Sequence, residues 1–234
     1  MSLITIIQGA ADQLGLPRPN QAVSSTETQV RQLVALAKAE CEALRRRYHA
    51  EYLQAEAVFT SVAASNQGAM STIAPGFSWM ISETVWDRTQ QEPMHGPLNP
   101  QQWQRLKSSV VSGPYYRWRI QSGNLYLIPD PPAGHTMAFE YISSFWTEDA
   151  SGSDKSSFTQ DTDVPKFPEH IVQLGVVWRF KQAKGFAYAE DLQNYESQLA
   201  IEISADGGAR KLNACGYDWE VSPTIRAPEG SWTP

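Results

Sequence analysis

The sequence predicts an α+β fold: N- and C-terminal helices form one bundle, an antiparallel β-rich domain is inserted between them, and an extended arm ends the chain. Three observations predict it. Apolar residues recur at helical spacing near both ends of the chain, and they alternate singly through residues 115–145. The final stretch from residue 207 has neither period, yet it is rich in Pro and aromatics. A helix with a single apolar face must bury it against another element, so the helices of the two ends are expected to pair. The expected units are N-terminal helices over 1–54, an inserted β-rich domain over 55–146, an acidic loop over 147–166, C-terminal helices over 167–206 and an arm over 207–234.

The first helix is read from Leu3, Ile6, Ile7, Ala10, Ala11 and Leu14, with Gly15 as a left-handed cap and Pro17 and Pro19 preventing continuation. Thr26 and Gln29 match a capping box, in which each side chain satisfies a backbone donor that the other leaves free. From there Val30, Leu33, Val34, Ala37, Cys41, Leu44 and Tyr48 recur every three or four residues, which predicts a long amphipathic helix. Arg45, Arg46 and Arg47 near its end complement the helix dipole.

Near Gln54 the pattern changes. Val58 to Val62 and Trp79 to Trp86 read as strands, and Gly68 and Pro75-Gly76 punctuate the segment between them. Asn99-Pro100 opens a short helix carrying Trp103 and Leu106, with Asn as cap and Pro in the first turn. Tyr116, Trp118 and Ile120 alternate with Tyr115, Arg117 and Arg119. Ser122-Gly123-Asn124 turns the chain into a partner strand from Leu125 to Ile128. After a turn containing Pro129, Pro131, Pro132 and Gly134, residues Met137, Phe139 and Tyr141 alternate in a third strand, so this region reads as a meander of at least three strands.

Residues 147–166 are rich in Ser and Asp, a composition that supplies little core and reads as a loop. A helix then begins around Pro168 and carries Ile171, Leu174, Val177 and Trp178 as far as Gly185. Another carries Phe186, Ala189, Leu192, Tyr195, Leu199 and Ile203 and stops at Asp206-Gly207-Gly208. Beyond it, Tyr217, Trp219, Ile225 and Trp232 stand among Pro223, Pro228 and Pro234. An extended, Pro-rich arm loses little entropy on docking, so these four aromatic and apolar residues are the candidate contacts with a partner or a neighbouring copy.

The composition argues against several kinds of chemistry. The net charge of −6 and pI near 5.3 give no overall basic field for a nucleic-acid backbone. His49, His95, His135 and His170 form no metal-ligand spacing with one another or with Cys41 and Cys215, so no metal and no cofactor is expected. Two isolated cysteines make no disulfide framework and suggest a reducing compartment. No apolar run approaches the ~20 residues that span a membrane. No phosphate loop or nucleophile elbow is present. Glu83, Asp87 and Glu140 are possible members of a catalytic acid pair, although an acid-rich chain supplies such combinations by chance.

One ordered set of motifs resembles a known family. Phe59-Thr60-Ser61-Val62-Ala63 is followed by Ile73-Ala74-Pro75-Gly76-Phe77, then Val85-Trp86-Asp87, then Gly96-Pro97-Leu98-Asn99-Pro100 leading into the Trp103 helix. Gly113-Pro114-Tyr115-Tyr116, Ile120, Gly123-Asn124-Leu125-Tyr126-Leu127-Ile128-Pro129, Pro131-Pro132 and Phe139-Glu140-Tyr141 come next, with Pro165 and Pro168 opening the helical pair. In order and spacing these resemble the head-to-tail adaptor proteins of tailed bacteriophages, particularly of short-tailed phages, over roughly residues 3–205.

That resemblance implies a structural virion protein and not an enzyme. Its place would be the head–tail interface, after synthesis in the bacterial host cytoplasm. It implies a homo-oligomeric ring, commonly dodecameric, bound to the portal protein on one side and to a tail nozzle or tail-tube protein on the other. DNA would pass through its channel without specific binding, and Tyr217, Trp219, Ile225 and Trp232 would reach the portal or a neighbouring subunit. The alternatives are a virion-associated cell-wall hydrolase and a tail-tube or nozzle structural protein.

Overall fold

The computed structural model describes residues 2–47, 50–109 and 115–206. Two helices open the chain, α1 (Leu3–Leu14) and α2 (Thr28–Arg47). After a turn of 3-10 helix come β1 (Gln54–Thr60), β2 (Asn66–Ala69), the single-turn α3 (Met70–Ile73), β3 (Phe77–Met80), β4 (Trp86–Asp87), β5 (Glu92–Pro93) and α4 (Pro100–Ser108). The strands β6 (Arg117–Gln121), β7 (Asn124–Ile128), β8 (Thr136–Ser143), β9 (Thr147–Glu148), β10 (Asp154–Lys155) and β11 (Val164–Pro165) follow. Two more helices, α5 (Glu169–Lys184) and α6 (Ala189–Ala205), complete the described chain. The fold is α+β, with helices at both ends of an antiparallel middle.

The four long helices form the bundle. α5 is its hub and packs on α1, α2 and α6. Leu3, Ile6 and Ile7 of α1, Leu33, Cys41 and Leu44 of α2, Ile171, Val176 and Phe180 of α5, and Tyr195 and Leu199 of α6 share one core. α1 ends as expected at Gly15, whose φ of 67° lies where a side chain is disfavoured. α2 starts at Thr28, so the capping box expected at Thr26 and Gln29 does not form. The Glu27 carbonyl accepts the Arg31 N–H at 3.0 Å as the first helical bond. The Ser25 hydroxyl takes the Glu27 N–H at 3.3 Å, a serine turn that leads into the helix. At α4 the expected cap is present: Asn99 Oδ1 accepts the Gln102 N–H at 2.8 Å, and Gln102 Oε1 accepts the Asn99 N–H at 3.1 Å.

The strands do not form the expected meander. β6 and β7 pair through a two-residue turn, with φ of 50° at Ser122 and 75° at Gly123, and β2 adds to the other edge of β7. β8 leaves that sheet. It pairs instead with β1, β3 and β4, at the centre of a five-stranded sheet. Alternation showed that Met137, Phe139 and Tyr141 lie in a strand, but it carries no information about which strand pairs with them. The strand expected from Trp79 to Trp86 is likewise two pieces, β3 and β4, because Glu83 between them takes a left-handed backbone (φ 68°) incompatible with a strand.

The two sheets face each other across a second core. Ala57, Met137, Phe139 and Tyr141 enter it from the five-stranded sheet, and Trp118, Leu125 and Leu127 from the three-stranded sheet. β8 links this core to the bundle, since the next residue along it, Ile142, packs in the helical core. The segment 147–166 is ordered within the fold, contrary to its loop-like composition. β10, β9 and β11 form a small sheet there, and Phe158 packs edge-on against Trp146 (4.8 Å between centroids) in the bundle core.

Candidate docking surfaces

Inside the bundle, one carboxylate is fully enclosed. Glu40 of α2 accepts from Arg179 Nε at 2.5 Å and from the Tyr195 hydroxyl at 2.5 Å, joining α2, α5 and α6. Burial, then the Glu40 charge, pushes the Tyr195 phenol far above its ordinary pKa, so the hydroxyl stays a donor. Gly175 makes the space: a Cβ there would overlap the Glu40 carboxyl group. At the end of α2, Arg45 reaches Glu42 at 3.0 Å, Arg46 reaches Glu42 at 3.8 Å, and Arg47 pairs with Glu196 of α6. The arginine run is therefore matched by carboxylates within the chain.

The acidic segment grips the N-terminal helix. The Asp163 carbonyl accepts the Leu3 N–H at 2.7 Å, and the Asp161 carbonyl accepts the Ile4 N–H at 3.1 Å. Asp161 also accepts the Ala22 and Val23 N–H groups through its carboxylate, at 3.0 and 2.7 Å. The Asp163 carboxylate is buried against Lys155 at 3.0 Å and the N–H groups of Thr159 and Gln160 at 2.6 and 2.8 Å. Burial acts to raise its pKa, but the two backbone donors and Lys155 together hold it below the usual carboxylate range.

The outward face of the five-stranded sheet is open. β1 and β8 place Glu56 directly opposite Glu140, a repulsive cross-strand pair. Arg88 engages Glu56. Glu83 and Glu140 have no cation within 4.0 Å among the described residues. These acids line an open depression with Thr84, Trp86 and Gln91. Val58, on the same outward side of β1 as Glu56, and Trp86 are 51% and 36% exposed.

The outward face of the three-stranded sheet carries the opposite charge. Arg117 and Arg119 project from β6 on the side away from Trp118, and α4 lies over this side with Trp103 edge-on to Tyr126 (6.3 Å). Tyr126 is the cross-strand partner of Arg119. α4 adds Arg105 and Lys107, the latter with its Nζ 5.9 Å from the Trp103 ring centre. Among the described residues none of these four cations forms an ion pair.

Of the acids singled out in the sequence, two come together and one does not. Glu83 and Glu140 belong to the outward depression, whereas Asp87 is fully buried on the inner side. Asp87 accepts the Thr89 and Gln90 N–H groups at 2.9 and 3.1 Å and meets His135 Nδ1 at 2.8 Å. Ser61 lies beside this pair, but its hydroxyl donates to the Pro132 carbonyl at 2.6 Å and accepts the His135 backbone N–H at 3.0 Å. The three residues thus tie β4 and the start of β8 to the end of β1, and the Ser61 hydroxyl is bonded to backbone, not to the imidazole. His135 is half-buried and paired with Asp87.

A family model described as SU10 adaptor protein matches residues 1–214. The chain belongs to that family. It is a family of phage head-to-tail adaptors of the short-tailed type, and the role it carries is structural. No curated protein matches the chain. In this adaptor the matched region contains every helix and strand from α1 to α6. Tyr217, Trp219, Ile225 and Trp232 lie beyond it and outside the described residues. No helix among the described residues is long and apolar enough to cross a membrane, and no group of three or more His, Cys, Asp or Glu there suits a metal ion. The charged faces went unread in the sequence because their members come from β1, β4, α4, β6 and β8; the one local signal was Arg117 and Arg119 alternating with aromatics.

Proposed function

We propose that this adaptor forms a ring at the capsid vertex, binds the portal protein with one end and a tail nozzle or tail-tube protein with the other, and extends the channel through which DNA passes. The observation that carries this reading is the family match over residues 1–214. Exposed apolar residues on several elements, among them Val58, Phe186 and Ile201, accord with a subunit that is covered in an assembly. A closed ring needs heterologous contacts between different faces of neighbouring copies. Tyr217, Trp219, Ile225 and Trp232 form the arm that reaches the portal or the next subunit.

Portal pull-down with the full chain and with a chain lacking residues 207–234 tests the arm. The full chain is expected to be retained and the shortened chain lost. Equal retention of both would remove the arm from the account and leave the ring to be tested by electron microscopy. The hydrolase alternative would have to rest on Glu83 and Glu140, which line one open depression, because Asp87 is locked in a buried network away from them.

A further inference from the structure

The β unit has two outward faces of opposite charge on opposite sides of one core. On β1, Ala57 points into that core while Glu56 and Val58 point out; on β8, Phe139 points in and Glu140 out. On β6, Trp118 points in and Arg117 and Arg119 out; on β7, Leu125 and Leu127 point in and Tyr126 out. Because strand side chains alternate, the outward side of each sheet faces away from the other sheet. One pole therefore presents Glu56, Glu83 and Glu140, with Arg88 the one cation among the residues that line the depression, and the other presents Arg105, Lys107, Arg117 and Arg119.

We infer that the acidic face of one copy docks on the basic face of the next, so that the occupant of each face is a second copy of this chain. Three features support it. Glu83 and Glu140 on one pole and the four cations on the other have no ion-pair partner among the described residues, so each pole holds charge that the fold does not neutralise. Glu140 faces Glu56 across the strands, a repulsion that an approaching guanidinium relieves. Trp86 and Val58 give the acidic pole an exposed apolar patch, the composition of an interface centre beside charged groups. Two different patches on opposite poles make a head-to-tail contact, which repeats around a ring or along a filament. The inference rests on the proposed ring and names the contact that builds it.

The test uses two full-length variants, E83K/E140K and R105E/K107E, in sedimentation velocity at low salt, alone and with portal protein. E83K/E140K places like charge on both contacting poles, R105E/K107E cancels the net charge of the basic pole and sets two carboxylates against the acidic one, and the self-association of each variant is expected to weaken about tenfold or more. Mixed in equal amounts, the two variants carry complementary poles again, and assembly is expected to return with alternating copies. The wild-type assembly is expected to weaken as salt rises, since screening shortens to about 10 Å at 0.1 M. Recovery on mixing also excludes misfolding as the cause of the losses.

If wild-type rings form on portal and both variants form them equally well, this interface is overturned and the ring reading stands. Loss in both variants without recovery on mixing overturns it too. If R105E/K107E loses binding to duplex DNA but associates normally, the basic face serves DNA and the inference fails. If the wild-type chain neither self-associates nor binds portal, the ring reading itself fails.

Discussion

Glu40 and Arg179 meet at 2.5 Å between α2 and α5, with the Glu40 carboxylate lying in space that only a glycine at position 175 leaves open. A buried carboxylate is tolerated when its partners are fixed, and here Tyr195 holds the other oxygen. Arg179→Met strands that charge and is expected to cost about 3–5 kcal/mol in urea unfolding. Replacing both residues together, Glu40→Met with Arg179→Met, is expected to recover much of the loss. Gly175→Ala gains about 1 kcal/mol of helix propensity but drives a methyl into Glu40, so the expected net effect is destabilising. Tyr195→Phe leaves one Glu40 oxygen without its donor, at a cost of about 1–3 kcal/mol.

Asp163 makes stability depend on acid pH. Its pKa is held below the ordinary value, so the folded chain binds fewer protons than the unfolded chain in that range. The contribution is fully present above the unfolded-state pKa, about 3.9, and is lost as pH falls through the depressed folded value. Glu42 and Glu196 are also lowered and act in the same direction. The urea midpoint is expected to be steady near neutrality and to fall below about pH 4. Asp163→Asn is expected to be less stable at pH 7 by about 1–3 kcal/mol and to show a smaller acid loss. An unchanged acid profile would separate Asp163 from this effect.

Cys41 is buried on the bundle face of α2, and its thiol is pushed well above its usual pKa by burial and then by Glu40 and Glu42. The thiolate is the reactive form, so Cys41 is expected to resist alkylation in the folded chain. A Cys215→Ser variant isolates it. Labelling should be slow in buffer and complete within the ordinary thiol reaction time in urea; fast labelling in buffer would show that the bundle opens at α2.

Asp87 holds its own following turn at Thr89 and Gln90 through one oxygen and His135, before β8, through the other. Asp87→Ala leaves the Thr89 and Gln90 N–H groups and His135 Nδ1 without that partner. The expected loss is about 1–3 kcal/mol, read by urea unfolding. Glu83→Gln, on the open face, is expected to leave stability within about 0.5 kcal/mol.

The helices were legible in the sequence because a bundle helix repeats its apolar residues on one face, as Ile6, Ala10 and Leu33, Ala37, Cys41 do. Strand existence was legible from the alternation of Trp118, Ile120 and Leu125, Leu127, but pairing was not. β8 crosses to the other sheet after the Pro-rich turn, and nothing local distinguishes that path from a hairpin. β2, with Gly68 and no apolar alternation, left no strand signal. Segment 147–166 hid its role because composition averages over residues. One aromatic, Phe158, fills the bundle core, while Asp161 and Asp163 bond to backbone far away in sequence. The Asp87–His135 pair spans 48 positions and carried no spacing motif. The adaptor family was readable because its motifs are local turns and strand entries in a fixed order, and the docking faces were not, because each is assembled from several elements.

The most direct measurement is electron microscopy of the purified full chain mixed with portal protein. Portal particles are expected to carry an added ring of this chain on one side, with continuous density for the chain's C-terminal residues reaching the portal or a neighbouring copy. Portal particles without added density, at concentrations where the chain is folded and in excess, would contradict the proposed ring.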